Sequence, residues 1–163
     1  MHIKSTITNK QGETFESIYY EGRNPAENLE GIILSGSGGH CFCGDKLVIV
    51  KSGNEWGFPG GGIEKGETWQ DALIREVKEE ANMRVLHQEL IGYQDFYRKK
   101  HTLRHVHSFC IVEPYGDFES DPDNDISEIK LIDPKEFKEY INWGEVGDRI
   151  MERAIEMKEK NSE

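Results

Sequence analysis

The chain has 163 residues, 36% hydrophobic and 31% charged, which fits one soluble globular domain, residues 1–163, around one sizeable core. Lys and Arg total 20 against 31 Asp and Glu, a formal charge of −11. That excess argues against broad electrostatic binding of DNA or RNA duplexes or of an anionic membrane, although a bound cation or a local basic patch reverses the field within one cleft.

Met1 to Lys10 contains no apolar run, and no window approaches the roughly 20 apolar residues of a membrane span. No signal peptide or transmembrane helix is therefore expected. Cys41, Cys43 and Cys110 are odd in number, and Cys41 and Cys43 would point the same way on a strand. Reduced thiols in a cytoplasmic protein are the simplest expectation, because no second Cys or His pair stands at zinc-site spacing.

In chain order, residues 2–9 and 13–20 read as a short hairpin about the turn Lys10-Gln11-Gly12. A polar stretch from Glu21 to Asn28 follows. Gly31–Leu34 and Leu47–Val50 read as strands separated by a turn-rich segment, Ser35-Gly36-Ser37-Gly38-Gly39. The cluster Gly57-Phe58-Pro59-Gly60-Gly61-Gly62 reads as loop. Thr68 to Ala81 is the clearest helix, with Thr68 as N-cap, Asp71 in its first turn and Asn82 at its end. Strands are expected near 84–97 and 102–113, an acidic loop from Pro114 to Ser127, and a short strand at Ile129–Ile132. Asp133-Pro134-Lys135-Glu136 has the residues of a helix start, and Val146 to Lys158 repeats apolar residues at helical spacing. Strands interrupted by a few helices predict an α+β fold, a mixed β-sheet between helices.

The chemistry concentrates on the central helix. Glu76, Glu79 and Glu80 stand at i, i+3 and i+4, on one side of the helix and beside its apolar face. Three adjacent anions repel one another and lose hydration there; Lys78 projects away and Arg75 lies at one edge, so a divalent cation would relieve the strain. Oxygen ligands of this kind suit Mg²⁺ or Mn²⁺. Alone, such a triplet is commoner as a solvated helix face, and a glycine cluster alone is commoner as a tight turn. Together they form a pattern.

Gly61 to Met83 resembles the Nudix box: a glycine, five residues, a glutamate, seven residues, then Arg-Glu-aliphatic-any-Glu-Glu-any-Gly-aliphatic. Gly61, Glu67, Arg75, Glu76, Val77, Glu79, Glu80 and Met83 fall in place, and Trp56-Gly57-Phe58-Pro59-Gly60 is similar to the family's lead-in. Asn82 stands where glycine is usual, at a helix end that wants a left-handed backbone, where Asn is the next best residue. The resemblance implies a Nudix-like α/β/α sandwich with a core at 28–141, an N-terminal hairpin extension at 1–25 and a C-terminal helix at 145–160. It implies Mg²⁺ held by Glu76, Glu79 and Glu80 with the Gly60 carbonyl, and Arg75 paired with Glu67. The activity implied is hydrolysis of a diphosphate linkage in a nucleoside diphosphate derivative or a nucleoside triphosphate. The general base is one of these glutamates or a loop acid, Asp125 or Glu128.

A catalytically silent nucleotide sensor or interaction module on the same fold is the alternative. Keeping Glu67, Arg75, Glu76, Glu79 and Glu80 together favours the enzyme. The N-terminal hairpin is a candidate dimerisation arm, as in some relatives. Asp121 to Asp125 starts like a calcium loop, but Ile126 and Ile132 replace its required Gly and Glu. Arg98, Lys99, Lys100 and Arg104 cluster without an acid between Tyr97 and His107, and are candidates to receive the distal phosphate of a substrate. His105 and His107 share a strand face with Phe109, as cleft-lining or packed residues. The substrate clues of the family are absent: there is no proline near 98, as in ADP-ribose hydrolases, and Tyr97 falls too early for dinucleoside polyphosphate hydrolases.

Overall fold

A computed structural model describes residues 1–116 and 126–162. The N-terminal strands β1 (His2–Thr8) and β2 (Thr14–Glu21) form the expected hairpin. They are followed by β3 (Ile32–Cys43), β4 (Lys46–Ser52), β5 (Glu55–Gly57) and β6 (Gly60–Gly62). Helix α1 (Trp69–Ala81) leads to the long strands β7 (Met83–Tyr97) and β8 (Thr102–Pro114). Strand β9 (Ile126–Ile132), a 3₁₀ turn at Pro134–Glu139 and helix α2 (Gly144–Asn161) complete the chain. No helix among the described residues is long and apolar enough to cross a membrane.

The strands run β1-β2-β7-β8-β3-β4-β5, with β6 added to β3 and β9 to β4. Among the described residues only β3 and β8 pair in parallel, so the sheet is mixed. Alternation along β4 distributes its side chains to two cores. Leu47 and Ile49 join Phe42, Phe109, Ile150, Met151 and Ala154 under α2. Val48 and Val50 join Cys41, Cys110, Leu73, Val77 and Ala81 under α1. The helices therefore cover opposite faces, the expected α/β/α sandwich. Cys41 and Cys110 face each other in the β3–β8 register, and all three cysteines are free thiols.

Capping explains where α1 starts and stops. Thr68 Oγ1 accepts the Asp71 amide at 3.1 Å. Asn82 takes the left-handed conformation, φ 53° and ψ 41°, and its N–H donates to the Lys78 carbonyl. The Asn that departs from the family pattern thus makes the turn its glycine would make.

Two expectations are corrected. Ser35 to Gly39 is not a turn but the interior of β3, and Gly60-Gly61-Gly62 is not loop but β6, paired antiparallel to Gly36–Gly38. Turn-rich composition reads here as closeness. A Cβ on Gly36 would collide with the His105 imidazole, and one on Gly39 would lie 3.0–3.2 Å from Cys41, Cys110 and Leu73. Glycine serves these strands as absence of bulk rather than as a bend.

Arg104 also departs from expectation. It is 2% exposed, with Asp95 2.8 Å away on β7. Its five N–H donors go to both Asp95 oxygens and to the carbonyls of Pro25, Glu27 and Asn28, while its guanidinium lies 3.9 Å over the Tyr93 ring. No donor is left for a substrate; the residue fastens the 25–28 segment to the sheet. Arg104→Met should therefore strand a buried carboxylate and cost about 3–5 kcal/mol of stability, read from the urea midpoint. A raised KM with unchanged stability would return Arg104 to substrate binding.

Candidate active site

Close backbone packing creates the site. Strand β6 lies against both β3 and α1, so a Cβ on Gly61 would meet the Glu76 carboxyl at 2.6 Å. One residue back, the Gly60 amide donates to Glu80 Oε1 at 2.7 Å. The start of α1 is tied to β3 by Ser37, whose hydroxyl donates to the Trp69 carbonyl at 2.8 Å. Two carboxylates are thereby aimed along adjacent glycines, where no side chain separates them from backbone polar groups.

Arg75 organises the remaining charge. Its Nε and Nη2 hold Glu67 in a two-point pair at 2.7 and 3.0 Å, and Nη2 also donates to the Gly62 carbonyl at 2.9 Å. Nη1 reaches Glu76 at 2.7 Å and Glu79 at 3.3 Å. Arg75 thus sits among the carboxylates rather than at one edge, and it offsets the mutual repulsion expected from their spacing. Glu67 also accepts the Glu64 amide at 2.9 Å. The Arg75 guanidinium, then this amide, hold the Glu67 carboxyl down at about 2.

Among the described residues no three acidic, histidine or cysteine side chains converge at metal-ligand separation. The donor chemistry nonetheless fits a hard cation. Glu76, Glu79 and Glu80 are carboxylates on one helix face, and the glycine backbone beside them is a cradle that any Cβ would fill.

The cleft beyond the glycines is aromatic. Gly60, Gly61, His40, Phe58, His105, His107 and Trp143 line one cavity. His40 stacks on Phe58 with ring centroids 4.0 Å apart, and Trp143 meets Phe58 edge-on at 5.1 Å. Burial pushes His40 down to about 3 and His105 to about 4. His107 is held well below its ordinary range by burial and by the two neighbouring imidazoles. The histidines are neutral at physiological pH, acting as hydrogen-bonding and packing surfaces rather than cations.

The other candidates are dispersed. Arg98 pairs with Glu13 at 2.8 Å and stacks on Phe15, while Lys99 and Lys100 are exposed at the β7–β8 turn. None of the basic residues lines the cleft. Glu128 is an exposed residue of β9 opposite Lys51, and Asp125 lies outside the described residues, as do Asp117 to Asn124. Trp143 and Gln94 escaped the sequence reading, and Phe58 entered it only as part of the family's lead-in: the three come from distant segments and carry no shared spacing. Of the cleft's ring-bearing side chains, His105 and His107 were marked as candidates, by their common strand face.

A family model described as the NUDIX domain matches residues 31–153. An uncharacterized Nudix hydrolase from a Nostoc species is 33% identical over 102 residues, 60% of this chain and 57% of its own length. An RNA pyrophosphohydrolase of Psychrobacter cryohalolentis is 36% identical over 77 residues, 47% of this chain and 42% of its own. The chain thus spans about half the length of the curated relatives it matches. A Bacillus subtilis pyrophosphohydrolase superposes with a TM-score of 0.62 at 19% identity, covering 78% of this chain and 77% of its own. A NUDIX hydrolase from Nitrosomonas europaea does so with 0.57 at 19% identity, covering 74% and 87%. At these identities the structural likeness is one of fold. With the box in place on its loop and helix, and the family model matched over most of the chain, this protein belongs to the NUDIX domain family.

Proposed function

We propose that the chain is a Mg²⁺-dependent pyrophosphohydrolase, with Mn²⁺ as a substitute ion, that cleaves a diphosphate linkage in a small nucleoside diphosphate derivative or nucleoside triphosphate. The observation that carries this is the setting of Glu76 and Glu80 against the Gly60–Gly61 backbone, braced by the Arg75–Glu67 pair. Glu76, Glu79 and Glu80 with the Gly60 carbonyl are the oxygen donors that would hold the ion. When bound, it neutralises phosphoryl oxygens and acidifies a coordinated water.

The chain's own groups then orient and move protons. The Gly60 amide holds one oxygen of the Glu80 carboxylate and so fixes the group against the glycine strand. One glutamate of the triplet takes the proton of the attacking water as general base. Arg75 bridges Glu76 and Glu79 through one nitrogen, and its two-point grip on Glu67 holds the segment before α1 against the helix.

The relatives that act as RNA pyrophosphohydrolases add a triphosphorylated RNA 5′ end to the substrates worth testing. The alternative of a silent nucleotide sensor has less support, since the five charged residues of the box are present, four of them interlocked through Arg75 and Glu80 held by the Gly60 amide.

Glu76→Gln and Glu80→Gln should each lower kcat about 10²-fold or more on the best substrate, with the fold retained. The panel is nucleoside triphosphates, nucleoside diphosphate derivatives and 5′-triphosphorylated RNA with Mg²⁺, scored by released phosphate and pyrophosphate. Near-normal turnover in both variants would make these glutamates structural.

The Glu67–Arg75 brace has its own acid signature. The Glu67 carboxyl falls from 4.5 to about 2 on folding, so the pair stabilises the protein fully above about pH 4.5 and is lost as pH falls toward 2. Glu67→Gln should flatten the Tm-against-pH curve in that window. A variant curve parallel to the wild type there would mean that the pair contributes nothing to stability.

A further inference from the structure

The larger cavity bears on what the substrate carries beyond its phosphates. A space of about 720 Å³ opens between the N-terminal hairpin and the segment entering α2. Ser5 to Thr8 of β1 form one wall, and Asn142 to Val146 the other. His105, His107 and Trp143 line both this cavity and the one that reaches Gly60 and Gly61. The two spaces meet at those three side chains, so the cleft has the glutamate–glycine edge at one end and the hairpin at the other.

The lining decides what can occupy the hairpin end. Among the described residues no Lys or Arg lines either cavity, and Glu145 is the one charged side chain on them. Phosphate finds no counter-charge there. A flat, uncharged, hydrogen-bonding ring finds an indole, two neutral imidazoles and an amide.

A chain of hydrogen bonds sets the polarity of that surface. Ser5 and Ser17 hydroxyls lie 2.9 Å apart. The buried Gln94 amide donates from Nε2 to Ser17 Oγ at 3.0 Å, which turns its carbonyl oxygen to His107 Nε2 at 3.4 Å. An amide oxygen only accepts, so His107 carries its proton on Nε2 and offers Nδ1 as an acceptor. Burial keeps that ring neutral, and the tautomer is therefore held by the hairpin.

We propose that the N-terminal hairpin is a specificity wall of the cleft, receiving the nucleobase of the substrate against Trp143, Gln94 and His107, with Ser17 acting through Gln94 as the positioning residue for His107. Residues 1–30 lie outside the span matched by the family model, so this wall is a feature of this chain rather than of the shared core. The proposal rests on the hydrolase reading for which end of the cleft holds the phosphates, and its test does not require turnover.

The whole 163-residue chain, metal-free, is titrated calorimetrically with the 5′-monophosphates of adenosine, guanosine, cytidine and uridine, and with ribose 5-phosphate, which keeps the sugar and phosphate but lacks the ring. At least one nucleotide should bind about tenfold tighter than ribose 5-phosphate, the scale of one base stacked on an aromatic side chain. Trp143→Ala, at a 46% exposed position that the core does not depend on, should erase the difference. Nitrogen NMR of the His107 ring should show the Nε2–H form in the wild type and a mixture of tautomers in Ser17→Ala, a change that loss of stability alone does not produce. Equal binding of ring-bearing and ringless ligands, or a Trp143→Ala variant that keeps the preference, overturns the proposal. Turnover separates it from the hydrolase reading. A protein that hydrolyses nothing yet binds a nucleotide through Trp143 loses the enzyme and keeps the wall. One that cleaves inorganic tripolyphosphate as well as any nucleotide keeps the enzyme and loses the wall.

Discussion

Everything at the site depends on how closely three backbones approach. Strands β3 and β6 and helix α1 pack so tightly that a Cβ on Gly60 would lie 2.5 Å from the Gly38 Cα and 2.6 Å from the Ser37 carbonyl. That contact brings the Gly60 amide within 2.7 Å of Glu80 and sets Gly61 against Glu76. Gly36 and Gly38 on the neighbouring strand leave room for the His105 ring in the same way. The glycines spend conformational freedom on folding, and what they return is backbone placed where a phosphate or a cation can reach it.

The electrostatics follow from that geometry. A chain of net charge −11 has no general attraction for a phosphorylated ligand. It concentrates acid at one edge of the cleft, interlocks it through a single arginine, and leaves the rest of the cleft nearly neutral. Two basic residues that looked available in the sequence are used in the scaffold: Arg104 is buried with Asp95 and Arg98 is paired with Glu13. Elsewhere in the scaffold, Arg149 of α2 grips Glu21 of β2 at 2.8 Å through two nitrogens. That grip ties the C-terminal helix to the hairpin that walls the cleft.

Periodicity and capping identified the helices and most strands because those signals are local. Thr68 and Asn82 mark the ends of α1 by hydrogen bonds within a few residues. The box was legible for the same reason, its charged residues lying on one helix and the loop before it. The glycine-rich stretch 35–39 was misread because glycine has one composition and two uses: the reason it sits in a strand is the His105 ring, some 70 residues away in the chain.

The sequence by itself determined the helix that carries the acids, the family pattern, and the mixed sheet between helices, since each is written in spacings of two to four residues or in a contiguous motif. Only the tertiary structure decided which charges are free to act and which are buried. Arg104 changed from substrate contact to scaffold because Asp95 and three loop carbonyls surround it, and Arg75 moved from the edge of the acidic cluster to its centre. Tertiary structure alone also brought Gln94, His107 and Trp143 to one cleft beside the hairpin. The β2–β7–β8 pairing joins segments far apart in sequence, and no local pattern records a contact made across a sheet.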